Sequence, residues 1–212
     1  MSLRMIVATG ANFEIGVDNK LLWHLPEDMQ YFKGQTEYCN VVMGNNTFDS
    51  LNLKKGLPNR NNVVLTTKTL QVNKMVRPQY NPRYCAYFTN NFKDVFNCEG
   101  TIWIIGGSQI YEQFIDYVDE IHWTQLEKSY PAANKFLSDK TIDVMIKEFD
   151  KGTRIKQCYD EKSDTSFTIN VLKRIKQSTW LSDLNQYNHT DKITISGNYQ
   201  SIDCQLKGEI ND

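Results

Sequence analysis

What this chain lacks narrows it first. No apolar run approaches the length of a membrane span, and Met1-Ser-Leu-Arg-Met5 leads straight into an apolar strand with no stretch of signal-peptide length. The five cysteines (39, 85, 98, 158 and 204) are odd in number and form no CxxC or Cys/His cluster, which reads as reduced thiols. His24, His122 and His189 have no partner at i+4 and no HExxH spacing, and no GxSxG is present. Hydrolase and metal chemistry are therefore set aside, and no metal is expected. A net charge of −1 offers no basic face to nucleic acid or membrane. The expectation is a soluble, cytoplasmic protein with a small-molecule partner and a monomeric state.

What is there is ordinary globular composition: 212 residues, 40% hydrophobic and 23% charged, enough for one domain with an appendage. Strand-like runs recur at Met5–Thr9, Asn40–Met43, Asn62–Thr67, Tyr84–Phe88, Thr101–Ile105, Glu120–Leu126, Thr153–Tyr159 and Phe167–Arg174. Several are continuously apolar, as central strands covered on both faces are. Helical stretches at 26–36, 46–51, 91–97 and 108–116 alternate with them. The pattern predicts an α/β fold, doubly wound, with a mostly parallel central sheet of about eight strands and an antiparallel C-terminal edge. Beyond Arg174 the composition turns polar. Trp180, Leu184 and Tyr187 stand at helical spacing, and Ile193 and Ile195 alternate up to Ser196-Gly-Asn198. Residues 1–175 are read as one domain and 176–212 as a small docked appendage, with a partly disordered tail as the alternative.

The most informative stretch runs from Ile15 to Lys33, a glycine-bearing loop, a tryptophan and then a helix. Pro26 suits the first helical position, and Asp28 falls in the first turn, on one face with Phe32 and Thr36. An acid beside Met29 and Phe32 is costly to bury without a partner, which makes Asp28 a candidate for a ligand with N–H donors. Complementing the helix dipole accounts for it equally on this segment alone. Two further places have the form strand, glycine, helix: Val41-Val-Met-Gly-Asn-Asn-Thr47 and Thr101-Ile-Trp-Ile-Ile-Gly-Gly-Ser-Gln-Ile-Tyr111. Glycines at such corners admit a close ligand, and two of them at parallel strand ends can grip the halves of a dinucleotide. Neither is GxGxxG. Thr66-Thr67-Lys68 ends a third strand and offers hydroxyls and an ammonium. Arg60, in Leu57-Pro-Asn-Arg60, can pair with a carboxylate, although its position alone favours a surface arginine.

The blocks Ile15-Gly16, Trp23-x-Leu-Pro-x-Asp28-x-x-x-Phe32, Met43-Gly-x-x-Thr47, Leu57-Pro-x-Arg60, Ile105-Gly-Gly107 with Tyr111-Glu-Gln-Phe114, and Thr124 occur in order. Through them the chain from Met5 to about Ile175 resembles dihydrofolate reductase. The resemblance implies that fold, NADPH as cofactor, and reduction of 7,8-dihydrofolate to tetrahydrofolate by hydride transfer to C6 and protonation at N5. It implies that Asp28 binds the pterin and promotes protonation, with Thr124 behind it and Trp23 and Leu22 in the closing loop of residues 10–23. Ile6, Val7, Phe32, Leu57 and Ile105 would wall the substrate, and Arg60 would hold its glutamate carboxylate. Ala8, Ile15, Gly16, Asn45, Asn46, Thr47, Thr66, Thr67, Lys68, Gly106, Gly107, Ser108, Gln109, Ile110 and Tyr111 would line the cofactor path.

Three departures from the family stand out. Leu22 replaces the usual proline before the tryptophan. Asn45 and Gln109 stand where basic residues often meet the cofactor's 2′-phosphate, and Ser108 replaces a third glycine. Two alternatives are a same-fold pyrimidine reductase of riboflavin synthesis and a folate- or nucleotide-binding structural protein without turnover. The Trp23-to-Asp28 spacing, Phe32 and Arg60 favour folate over the first; Asp28, Thr124 and Gly106-Gly107 argue against the second.

Overall fold

The continuously apolar runs form the middle of a nine-stranded sheet in the order β10-β11-β8-β1-β7-β3-β4-β6-β5. These strands are β1 (Ser2–Thr9), β3 (Asn40–Gly44), β4 (Asn61–Leu65), β5 (Met75–Val76), β6 (Ala86–Thr89), β7 (Thr101–Gly106), β8 (Glu120–Leu126), β10 (Thr153–Asp160) and β11 (Thr165–Lys173). Two more, β2 (Glu14–Gly16) and β9 (Lys135–Phe136), pair as a separate ribbon. The computed structural model describes residues 2–53, 55–69, 75–76 and 85–175. The appendage reading of 176–212, with Trp180, Leu184, Tyr187, Ile193 and Ile195, lies outside the described residues.

All eight expected strands are present. Pairing is parallel from β8 through β1, β7, β3 and β4 to β6, and antiparallel where β11 joins β8, β10 joins β11 and β5 joins β6. The sheet thus has an antiparallel strand at each edge, where the sequence indicated only the C-terminal one. Period-two alternation divides β1: Leu3, Met5 and Val7 join one buried cluster, and Ile6 joins another on the opposite face.

Helices α1 (Pro26–Thr36), α2 (Asn45–Ser50) and α3 (Ser108–Phe114) lie where expected. The 91–97 stretch is a 3₁₀ helix, Phe92–Asn97, and α3 tightens into another at Ile115–Tyr117. One helix was missed, α4 (Asp139–Glu148), whose Ser138 caps it by accepting from the Thr141 N–H. Among the described residues no helix is long and apolar enough to cross a membrane, and Cys39, Cys85, Cys98 and Cys158 form no disulfide.

Candidate active site

Helix α1 starts without a side-chain cap. Leu25 is extended at the N-cap and Pro26 opens the first turn, which carries Glu27 and Asp28. The two acids meet opposite surroundings. Glu27 is exposed and accepts from Lys156 Nζ at 2.5 Å and Cys158 Sγ at 3.0 Å. Asp28 is half-buried, and its Oδ1 accepts from Thr124 Oγ1 at 2.6 Å. Thr124 is 2% exposed in the centre of β8, beside Ala8 of β1. Burial pushes the Asp28 carboxyl above its usual 3.8, and the Thr124 bond opposes this without reversing it. The same helix does not bury Met29, which is 43% exposed, whereas Phe32 packs against the core.

Arg60 corrects the positional reading, because it is 3% exposed rather than on the surface. Its Nε donates to Thr36 Oγ1 at 2.9 Å, Nη1 to the Pro58 carbonyl at 2.6 Å and Nη2 to the Lys33 carbonyl at 3.4 Å. The guanidinium also lies 5.8 Å over the Phe32 ring. The C-terminal turn of α1 therefore fixes the fork while leaving part of its donor set uncommitted. A residue missed in the sequence holds the loop beneath it. Buried Asn62 accepts from the Leu57 N–H at 2.8 Å and donates to the Leu57 and Arg60 carbonyls. A Cβ on Gly56 would lie 2.6 Å from the Asn62 side chain.

Beside these residues runs a cleft of about 820 Å³. Of the expected cofactor residues only Gly106 is absent from its wall; Val7 and Ile105 border it as well, while Ile6, Phe32, Leu57, Arg60, Thr124, Asp28, Trp23 and Leu22 do not. Gly106 has φ +107°, and a Cβ there would meet the Tyr111 ring at 3.0 Å. The Tyr111 hydroxyl donates to the Ile6 carbonyl at 2.9 Å, tying the glycine corner to β1. A Cβ on Gly107 would come 3.4 Å from Thr47 Oγ1, so the two strand–glycine–helix corners face each other. Ser108 opens α3, and its φ is not positive, so it stands in for glycine without strain. Asn45 donates to Asp49 Oδ2 at 2.7 Å and leaves its own buried Oδ1 without a partner, while exposed Lys68 pairs with the same Asp49 oxygen at 3.4 Å.

The loop ahead of α1 is fastened at several points. Glu14 accepts from the Asn12 and Tyr130 N–H groups at 2.7 and 2.9 Å, and Asp18 and Asn134 exchange bonds at 3.2 and 2.7 Å. Leu22 is half-buried ahead of Trp23. Trp23 packs on Tyr130 at 5.1 Å, and its buried Nε1 has no partner. Asn19, Lys20 and Leu21 line the cleft from the expected loop 10–23; Phe92 and Asn134 to Phe136 line it too, and the sequence reading missed these four. Only tertiary pairing between β2 and β9 brings the last three there.

Comparison with known proteins gives consistent results. A family model described as dihydrofolate reductase matches residues 2–174. A dihydrofolate reductase of Staphylococcus aureus is 30% identical over 176 residues, covering 83% of this chain and all of that one. A dihydrofolate reductase of Bacillus subtilis is 31% identical over 179 residues, covering 83% and 96%. In fold, the chain is similar to dihydrofolate reductase from Enterococcus faecalis complexed with NADP(H) and RAB-propyl. That likeness has a TM-score of 0.67 and 24% identity, and it covers 82% of this chain and 97% of that one.

Proposed function

This chain belongs to the dihydrofolate reductase family and reduces 7,8-dihydrofolate to tetrahydrofolate with NADPH, and we propose that Asp28 is the carboxylate around which its substrate half is built. The carrying observation is a half-buried acid whose protein partner is a single threonine hydroxyl. One oxygen held by Thr124 sets the orientation of the carboxylate. The remaining acceptor capacity faces the partner's polar edge, where a pterin offers adjacent N–H donors. A carboxyl raised by burial can also hold a proton nearer neutral pH, as protonation at N5 demands. Trp23, with its partnerless indole N–H, supplies a donor beside the same helix start. Phe32, Leu57, Ile6, Val7 and Ile105 give apolar walls, and the uncommitted part of the Arg60 fork suits a glutamate carboxylate.

The cofactor half fits NADPH on this chain's own features. At the close-facing corners a Cβ on Gly44 would come 3.2 Å from Ile110 and one on Gly107 3.4 Å from Thr47, Thr66 and Thr67 add hydroxyls, and the orphaned Asn45 Oδ1 awaits a donor. When bound, NADPH supplies the hydride. Loop 10–23 excludes water from the slot. We further take the protein to be a cytoplasmic monomer with residues 1–175 as its catalytic domain, in keeping with a net charge of −1.

The test is Asp28→Asn, assayed by NADPH oxidation with dihydrofolate. We expect a loss of about 10²–10⁴-fold at pH 7, the range for a positioned acid or base, with partial recovery at low pH where substrate arrives protonated. Near wild-type turnover at pH 7 would remove Asp28 from the mechanism. A pyrimidine substrate turned over in preference to dihydrofolate would transfer the chain to the same-fold alternative.

A further inference from the structure

Behind Asp28, on the same faces of the same two elements, stands a second polar contact that the reaction does not use. Tyr31 follows Asp28 by three residues on α1, and His122 precedes Thr124 by two on β8, so both pairs share a face. Tyr31 Oη lies 2.7 Å from His122 Nδ1, and His122 Nε2 lies 2.9 Å from Glu120 Oε1. His122 is 5% exposed, with the Trp103 indole edge-on to it at 4.7 Å. We propose that Tyr31 and His122 are positioning residues for Asp28: their hydrogen bond is a second pin that fixes α1 against β8 beside the Asp28–Thr124 contact. The proposal rests on the reading of Asp28 given above.

The two ends of this relay, Glu120 and Tyr31, frame its proton positions. Glu120 is ionised and only accepts, which requires a hydrogen on His122 Nε2. Its hydrogen bond from His122, with Arg4 of β1 and Lys173 of β11 nearby, holds the Glu120 carboxyl below its usual range. Burial, with Glu120 nearby, pushes the Tyr31 hydroxyl up to about 12, so it keeps a hydrogen that it can donate to Nδ1. Trp103 of β7 adds a ring and no titrating charge. The arrangement the proposal requires is the Nε2–H tautomer, whose Nδ1 lone pair faces Tyr31 on α1.

Without that pin, Asp28's own bond and the apolar packing of Leu25 and the residue-31 ring near Leu126 remain to hold α1 on β8 at this place. Water then reaches the carboxyl, and the burial that raises it is relieved. Tyr31→Phe keeps the ring and removes the bond. We expect the pH at which hydride-step turnover falls off to move down by about half a unit or more, with Tm nearly kept. His122→Asn places an amide oxygen close to the position of Nδ1 and should restore the wild-type inflection. A purely structural role would lower Tm in Tyr31→Phe and leave the inflection where it was, and that result overturns the proposal. So does an equal shift in His122→Asn. On the unmutated enzyme, nitrogen NMR at neutral pH should show the Nε2–H form of His122; the opposite tautomer or an imidazolium overturns the proposal independently of either variant. If Asp28→Asn remains active at pH 7, the underlying reading fails instead, and the two failures are thus separable.

Discussion

Glu14 and Asp28 are both removed from water, yet their surroundings drive their acidity in opposite directions. Burial alone would raise Glu14, but the hydrogen bonds from Tyr130, Asn12 and its own backbone outweigh it and hold the carboxyl below 4.5. A depressed value stabilises the fold above 4.5, and that stability is lost as pH falls through the folded value. Glu14→Gln should therefore cost about 1–3 kcal/mol at neutral pH, the range for disturbing a buried acceptor, with the difference shrinking in acid. Asp28 has the reverse sign: its raised value favours the fold below 3.8, and that contribution is lost as pH rises through it. Asp28→Asn should consequently unfold no more easily than wild type at pH 7 while losing activity. Denaturant unfolding of the three proteins across acid and neutral pH checks both signs. A third expectation concerns the cofactor. Asn45 has given its amide donor to Asp49, and the same carboxylate offsets Lys68, an exposed pair that contributes little on its own. Preference for NADPH over NADH should be smaller by roughly tenfold than with an arginine there, one charge-assisted bond being worth about that. In ratios of kcat/KM for the two cofactors, Asn45→Arg should raise the preference and Lys68→Ala lower it. No change in either would place the reader of the 2′-phosphate elsewhere.

At the scale of elements, the two glycine corners are where backbone shape serves the site. Gly106→Ala puts a Cβ against the Tyr111 ring at a φ of +107°, and it should destabilise by about 1–3 kcal/mol and weaken NADPH binding. Gly34→Ala is the control, since a Cβ there meets nothing within 4 Å inside α1. It should be neutral or gain about 0.5–1 kcal/mol from helix propensity. Thermal unfolding and cofactor titration by fluorescence distinguish the two. Elements of this kind were legible because their signals are local: long apolar strands, Pro26 at a helix start, paired glycines after a strand. Strands β2, β5 and β9 have two or three residues, too few for any period to show. Helix α4 carries buried Thr141 and Met145, with Phe149 just after it, at a spacing of four, and Ile142 and Val144 pack beside them, so its amphipathic face stood in the sequence and was passed over, with exposed Ile146 interrupting the charged face of Asp139, Asp143 and Lys147. In the site, Asp28 was legible from its place in α1, whereas its bond to Thr124 joins residues 96 apart. The burial of Arg60 depends on carbonyls and a hydroxyl from α1, which no spacing around residue 60 announces.

For the whole molecule, the family match ends at residue 174, and every group assigned a role precedes it. We expect truncation after Ile175 to leave turnover within a few-fold of the full chain, with any loss appearing in stability or solubility. Steady-state kinetics and unfolding of the truncated protein test this. A soluble, folded but inactive truncation would bring residues 176–212 into the site. The parts assigned to the two ends of the substrate meanwhile share one support. Asp28 stands in the first turn of α1, and Arg60 is strapped to its last turn through Lys33 and Thr36. Eight residues of helix separate these points, about 12 Å at 1.5 Å per residue. In its proposed role α1 is a gauge: it holds the two polar grips at a set span, and a ligand of another length can engage one of them only.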